Sequence, residues 1–136
     1  MDTQLRESFA FDPDLVVLAI GENVPALDSA EAKAKFKAGV MSILRCAHAQ
    51  RHPLVVVRSC FWPDTAKDEV LREACQAADA IFVDAGVLGR EPANAARSER
   101  SFQHDGVAAH PGDQGMRALA DAIVRAVLKR TPPGGS

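Results

Sequence analysis

Three short apolar runs constrain the fold of this 136-residue chain more than any other feature: residues 15–20 (LVVLAI), residues 54–57 within PLVVVRS, and residues 80–83 (AIFV). Each is continuously apolar, so each needs cover on both faces, as a strand inside a parallel sheet does. Parallel neighbours need a crossover of a dozen or more residues, and helical patterns occupy the intervals. Asp28 and Glu31 have capping-box spacing, and beyond them Phe36, Val40, Ile43, Leu44 and Ala47 recur at helical spacing. Thr65 is placed to cap a second helix that buries Val70, Leu71, Ala74, Cys75 and Ala78. Asp113 is placed to cap a third, whose stripe is Met116, Leu119, Ala120, Ile123, Val124, Val127 and Leu128, with Pro132 and Pro133 as the stop. The order strand, helix, strand, helix, strand, long loop, helix predicts an α/β sheet with right-handed crossovers. One domain is expected over residues 1–131, followed by a flexible tail at 132–136. Residues 86–112 show no period and read as a long loop, a kind of segment that is often functional.

Composition narrows the classes of partner. A formal net charge of −2, with Arg and Lys scattered along the chain, offers no patch for nucleic acid or an anionic membrane. No apolar run approaches the ~20 residues of a membrane span. MDTQLRESFA has neither a basic nor an apolar signal-peptide region, so the expected location is the cytoplasm. Cys46, Cys60 and Cys75 are odd in number and widely spaced, which fits reduced thiols and argues against a disulfide framework or a zinc site.

In open parallel sheets, ligands bind beyond the carboxyl ends of the strands. Three segments follow those ends: Gly21-Glu22-Asn23-Val24, the run from Arg58 to Asp64 (RSCFWPD), and Asp84 to Gly89 (DAGVLG). Asn23 can donate its side-chain amide to a developing oxyanion, or it can stabilise its own turn. His110 lies in an Ala-Ala-His-Pro-Gly loop before the last helix. An imidazole there suits a general base, or equally a loop histidine that caps backbone groups. Asp105, Asp113 and Asp84 are carboxylates that could orient it, and Asp113 is better explained as a cap. His48 and His52 fit a helix end and the surface. No serine stands in a Gly-x-Ser-x-Gly elbow. Ser59 follows a strand and reads as packing or support, with Ser59 or Cys60 as an alternative nucleophile. Phe61 and Trp62 read as the wall of a pocket or as core cover.

Taken together, PDLVVLAIGENV, PLVVVRSCFWPD and GVAAHPGDQGM resemble the C-terminal part of an SGNH (GDSL-like) hydrolase across about residues 11–129. The resemblance implies a three-layer α/β/α, flavodoxin-like parallel sheet, N-terminally truncated, and the chemistry of a serine esterase. Gly21 and Asn23 match the family's Gly-x-Asn-Asp block, with Val24 in place of the Asp. His110 and Pro111 match its last block. By that resemblance Asn23 is an oxyanion-hole donor, His110 the general base and Asp105 the acid, although Asp105 stands five residues before His110 where the family has two or three. Gly21, Glu22, Ser59 and Trp62 are the expected substrate-binding residues. The Gly-Asp-Ser block with the nucleophile is absent, and Ser8 has no Gly-Asp before it. The implied substrate is a small acyl ester such as an acetylated carbohydrate, and no metal or organic cofactor is required. Activity of the chain alone is expected to be weak or nil. Without the strand that carries the nucleophile, residues 15–20 become an exposed edge through which the chain forms a homo-oligomer. A flavodoxin-like binding or interaction module without catalysis is the alternative.

Overall fold

Continuous burial on both faces is found at the middle strand. The structure, a computed structural model, describes Glu7, Ala10 and residues 12–49 and 52–130. Ser8 and the expected tail at 132–136 lie outside the described residues. Strands β1 (Leu15–Ala19), β2 (Leu54–Arg58) and β3 (Ile81–Val83) form a sheet in the order β1-β2-β3. All pairs are parallel, with Leu15 opposite Leu54 and Val56 opposite Ile81. Helices α1 (Ala30–His48) and α2 (Thr65–Ala77) are the crossovers. Val16, Val55 and Val57 meet Val40 and Leu44 of α1 and Leu71, Ala74 and Cys75 of α2 in the main core. Side chains alternate across a strand, so Val56 points the other way. It is fully buried under α5 (Asp113–Arg130), which packs on β2 and β3. The result is an α/β sheet with helices on both faces.

All three long helices occur where the periodicity predicts them, but none is capped as expected. Capping needs an extended residue whose side-chain oxygen reaches an N–H two or three positions on. In α1 that residue is Ser29, not Asp28, and it accepts the Ala32 N–H at 3.0 Å. In α2 it is Asp64, which accepts the Lys67 N–H at 3.1 Å and leaves Thr65 as the first helical residue. Helix α5 is capped from a distant turn: the Glu99 carboxylate accepts the N–H groups of Asp113 and Gln114 at 2.9 and 2.8 Å. Asp113 is itself helical.

The expected loop at 86–112 is a chain of short turns. It contains α3 (Gly86–Gly89), 3-10 turns at Pro92–Asn94 and Ala96–Ser98, and α4 (Asp105–Ala108). None is long enough to display a period. They are tied to one another by the Asn94 side-chain N–H on the Leu88 carbonyl at 2.9 Å and the Gly112 N–H on the Asn94 carbonyl at 2.9 Å. Gly115 lets α5 approach that knot, since a Cβ there would lie 2.2 Å from the Asn94 carbonyl oxygen.

The apolar stripe of α5 is only partly buried. Leu119 is covered, but Met116, Val124 and Leu128 are 56%, 54% and 68% exposed. These three lie on the flank opposite Arg125 and Lys129, which line the cleft against β3. β1, the edge strand among the described residues, also exposes Leu15 and Val17, at 43% and 45%. One helix covers about two strands, and α5 is spent on β2 and β3.

The Gly115 contact yields a paired prediction. Gly115→Ala is expected to cost about 1–3 kcal/mol in urea denaturation, because the backbone of the turn must shift. Gly106→Ala in α4, where an added methyl meets nothing within 4 Å, is expected to be neutral or to stabilise by up to about 1 kcal/mol.

Candidate active site

The carboxyl ends of β1 and β2 are joined by one carboxylate. Past β1 the chain turns at Gly21, whose φ of +112° is open to glycine and strained for other residues. Glu22 then reaches back to β2. Its Oε1 accepts Arg58 Nη1 at 2.8 Å and the Phe61 N–H at 3.0 Å, and its Oε2 accepts Arg58 Nη2 at 3.2 Å. This is a two-pronged, charge-assisted contact in a half-buried place, the strong form of such a pair. Arg58 Nη1 also donates to the Ser59 carbonyl at 2.9 Å. The hydrogen bond from Arg58 holds the Glu22 carboxyl below its ordinary value of 4.5, against the opposing effect of burial; the Phe61 N–H and the charge of nearby His110 act in the same direction as Arg58.

A second tie fixes the far side of the turn. The Val24 N–H donates to the Gly21 carbonyl at 3.1 Å, and the Val24 carbonyl accepts Lys67 Nζ at 2.7 Å. Lys67 is buried and also pairs with Asp64 at 3.1 Å. Asn23 stands between the two ties. It is exposed, and among the described residues no hydrogen bond engages its side chain, so its amide is not spent on its own turn. Beside it, a cleft of about 650 Å³ opens between the end of β1 and α1, lined by apolar residues such as Ile20, Leu27, Phe36 and Ile43.

Ser59 is packed into the fold, as its place after a strand suggests. It is fully buried, and its Oγ accepts the N–H groups of Ala85 and Gly86 at 2.8 and 3.2 Å, so it fastens the end of β3 to β2. Cys60 is buried too, and burial pushes its thiol up. Neither is presented as a nucleophile or as a substrate contact. Phe61 belongs to a small core with Ala85 and Leu119, while Trp62 is 37% exposed.

The rings of Trp62 and His110 meet edge to face, with centroids 4.7 Å apart and planes at 82°. The backbone holds His110 in place: its N–H donates to the Val107 carbonyl at 3.1 Å, and its carbonyl accepts the Ala96 N–H at 2.8 Å. Asp105 is exposed in the first turn of α4, and no side-chain hydrogen bond joins it to His110. Asp84 pairs with Arg72 at 3.8 Å. His48 and His52 face each other at 6.5 Å beside the start of β2, at the other end of the sheet.

The turn Gly21-Glu22-Asn23 thus follows β1, with Glu22 tied to Arg58 and Phe61, and Trp62 after β2 touches His110; Ser59 is buried, and no contact joins Asp105 to His110. Two residues went unnoticed in the sequence. Arg58 closes an apolar run with a charge at the rim, and Lys67 stands one turn before Val70 and Leu71 on the buried stripe of α2. A lone charge inside an apolar pattern was the available signal for both. Among the described residues, no group of three or more His, Cys, Asp or Glu is arranged to hold a metal ion.

No family model matches the chain, and no curated protein matches it. Among solved structures it superposes on the crystal structure of the lipase/acylhydrolase from Enterococcus faecalis with a TM-score of 0.68. The superposition covers 99% of this chain and 71% of that one, at 20% sequence identity. The two share an α/β fold, and this chain, with its three-stranded parallel sheet, corresponds to a shorter portion of that one. The resemblance read from GENV and HPGDQGM thus agrees with the course of the backbone over nearly the whole chain. No helix among the described residues is long and apolar enough to cross a membrane.

The Glu22 link has a pH signature with a defined sign. A carboxyl lowered in the folded state stabilises above its unfolded value, and that contribution fades as pH falls through the lower, folded value. Glu22→Gln is therefore expected to cost about 1–3 kcal/mol at neutral pH. The gap from wild type should close below pH 4.5, as followed by chemical denaturation at a series of pH values. A gap that stays constant with pH would mean that the carboxylate charge contributes nothing.

Proposed function

We propose that this chain is the Asn23- and His110-bearing part of an SGNH-type serine ester hydrolase acting on a small acyl ester, such as an acetylated carbohydrate. The observation that supports this reading is a sheet that superposes on a lipase/acylhydrolase and carries the Glu22-Asn23 turn after β1 and, after β2, Trp62 with its ring against His110. In the completed site a serine hydroxyl from outside the described residues attacks the ester carbonyl, and His110 takes its proton. Asn23, with backbone N–H groups, holds the oxyanion. The alcohol leaves with the proton from His110, and water, deprotonated by His110, frees the acid from the acyl-enzyme. The free amide of Asn23 and the exposed ring of His110 fit these roles. With Ser59 committed to Ala85 and Gly86, the chain alone has no activated serine among its described residues, which supports weak or no activity in isolation.

A fluorophosphonate probe followed by peptide mass spectrometry tests this. Folded chain is expected to carry no adduct on any serine. An adduct on Ser59 that disappears in His110→Ala would reveal a complete, rearranged site and overturn the reading of a partial one.

The open edge of β1 supports self-association. A second copy pairing along β1 would shelter Leu15 and Val17, which stand exposed beside it. Sedimentation is expected to show dimers or larger species, and Val17→Lys should weaken association about tenfold or more, since a charge then sits on the apolar edge. A monomer at every concentration would rule this interface out.

A further inference from the structure

We propose that Glu22, not Asp105, is the acidic residue that positions His110, acting through the Phe61–Trp62 turn that it fastens. The inference rests on reading His110 as the base of the site.

Asp105 is poorly placed for the task. It opens α4, and His110 follows the residue that closes it, so the helix length lies between them, about 7 Å along the axis at 1.5 Å per residue. Its side chain is exposed, and no hydrogen bond turns its carboxylate toward the ring. Arg97 adds a cation on this side by donating to the carbonyls of Ala108 and Asp105 at 3.4 and 3.5 Å.

Glu22 approaches from the other side of the rim. It accepts the Phe61 N–H at 3.0 Å, and Phe61 carries Trp62 directly after it, with the two rings edge to face at 6.1 Å. Trp62 is the residue whose ring meets the His110 ring at 4.7 Å. Arg58 holds the carboxylate from beneath with two hydrogen bonds, so its oxygens cannot swing away. The imidazole thus rests against an indole that directly follows the backbone N–H held by the carboxylate. In general, a carboxylate near a base favours the cation that the base becomes when it accepts a proton. The charged groups around His110 are Glu22 and Arg58 from the ends of β1 and β2, Arg97 and Asp105 from the segment before it, and Glu99 and Asp113 at the start of α5. Among them, Glu22 alone accepts a hydrogen bond from the neighbour of the residue that touches the ring, the Phe61 N–H beside Trp62.

The protein contains its own reporter, because Trp62 is the sole tryptophan. A protonated imidazole in contact with an indole quenches its emission. The emission of the wild-type chain should fall as pH is lowered through the histidine range near pH 6.5, and His110→Ala should abolish that step. Glu22→Gln keeps an oxygen for the Phe61 N–H and removes the charge, leaving Arg58 uncompensated. Both changes disfavour the imidazolium, so the midpoint should fall by about 0.5–1 pH unit. Glu22→Ala also releases the turn and should shrink the amplitude of the step. Asp105→Asn should leave midpoint and amplitude as in wild type. An unchanged midpoint in Glu22→Gln, or a lowered one in Asp105→Asn, would overturn the proposal. The Asp105 arm decides even if a Glu22 variant does not fold, as checked by circular dichroism. The titration needs no activity, so its outcome is separate from the labelling test of the esterase reading.

Discussion

The structure depends on the burial of three consecutive valines, Val55, Val56 and Val57, which are 1%, 0% and 0% exposed. A strand apolar on both faces can exist only where helices cover both, and parallel pairing on each side follows from crossovers that return every strand in the same direction. From this one constraint come α1 and α2 on the face of Val55 and Val57, and α5 on the face of Val56. It also brings the chain ends that follow β1 and β2 out on one rim, at neighbouring strands in register. That adjacency lets Glu22 reach Arg58 and Phe61 across 36 and 39 residues of sequence.

The rim is a polar system set in apolar surroundings, and its polar groups are satisfied by distant partners. Arg58 and Glu22 answer each other, Lys67 answers Val24, and Ser59 answers Ala85 and Gly86. An unpaired buried donor or acceptor costs about 1–3 kcal/mol, so these contacts account for the fixed course of three loops without any disulfide or metal. The groups left over are then informative. Asn23 and His110 spend no side-chain hydrogen bond on the fold, and both are exposed. Structural roles use up polar groups, and a polar side chain held in place by its neighbours yet itself unspent is available for chemistry.

The sheet, its direction and the three long helices were legible because each rests on a pattern local to one segment: apolar runs for strands and a recurring stripe for helices. The caps were misread because Asp28, Thr65 and Asp113 each have a neighbour or a remote residue in better geometry, and sequence spacing does not report which backbone is extended. Glu99 is the plainest case, being 14 residues from the N–H that it accepts. The knot at 86–112 hid for another reason. Turns of three and four residues have no period, and they are stabilised by main-chain contacts such as Ala96 to His110 that leave no compositional mark. At the site, Asn23 and His110 were found through motif resemblance, whereas Arg58 and Lys67, which fasten the loop that carries Asn23, were not.

The exposed flank of α5 joins the fold to the proposed chemistry. Its apolar stripe is wider than a helix resting on two strands requires, and the surplus, Met116, Val124 and Leu128, lies open, as do Leu15 and Val17 of β1. On the opposite face of β1, the cleft against α1 is apolar as well. Among the described residues, this sheet edge therefore has apolar surface on both of its faces, as an interior boundary does. The matched lipase/acylhydrolase extends beyond the 71% of its chain superposed here, so the same fold does accommodate more chain. Asn23 stands at the top of that boundary strand. Whatever covers the edge of β1 therefore ends next to Asn23, the side chain to which the proposed reaction assigns the oxyanion, so packing on that edge and the proposed chemistry share one place.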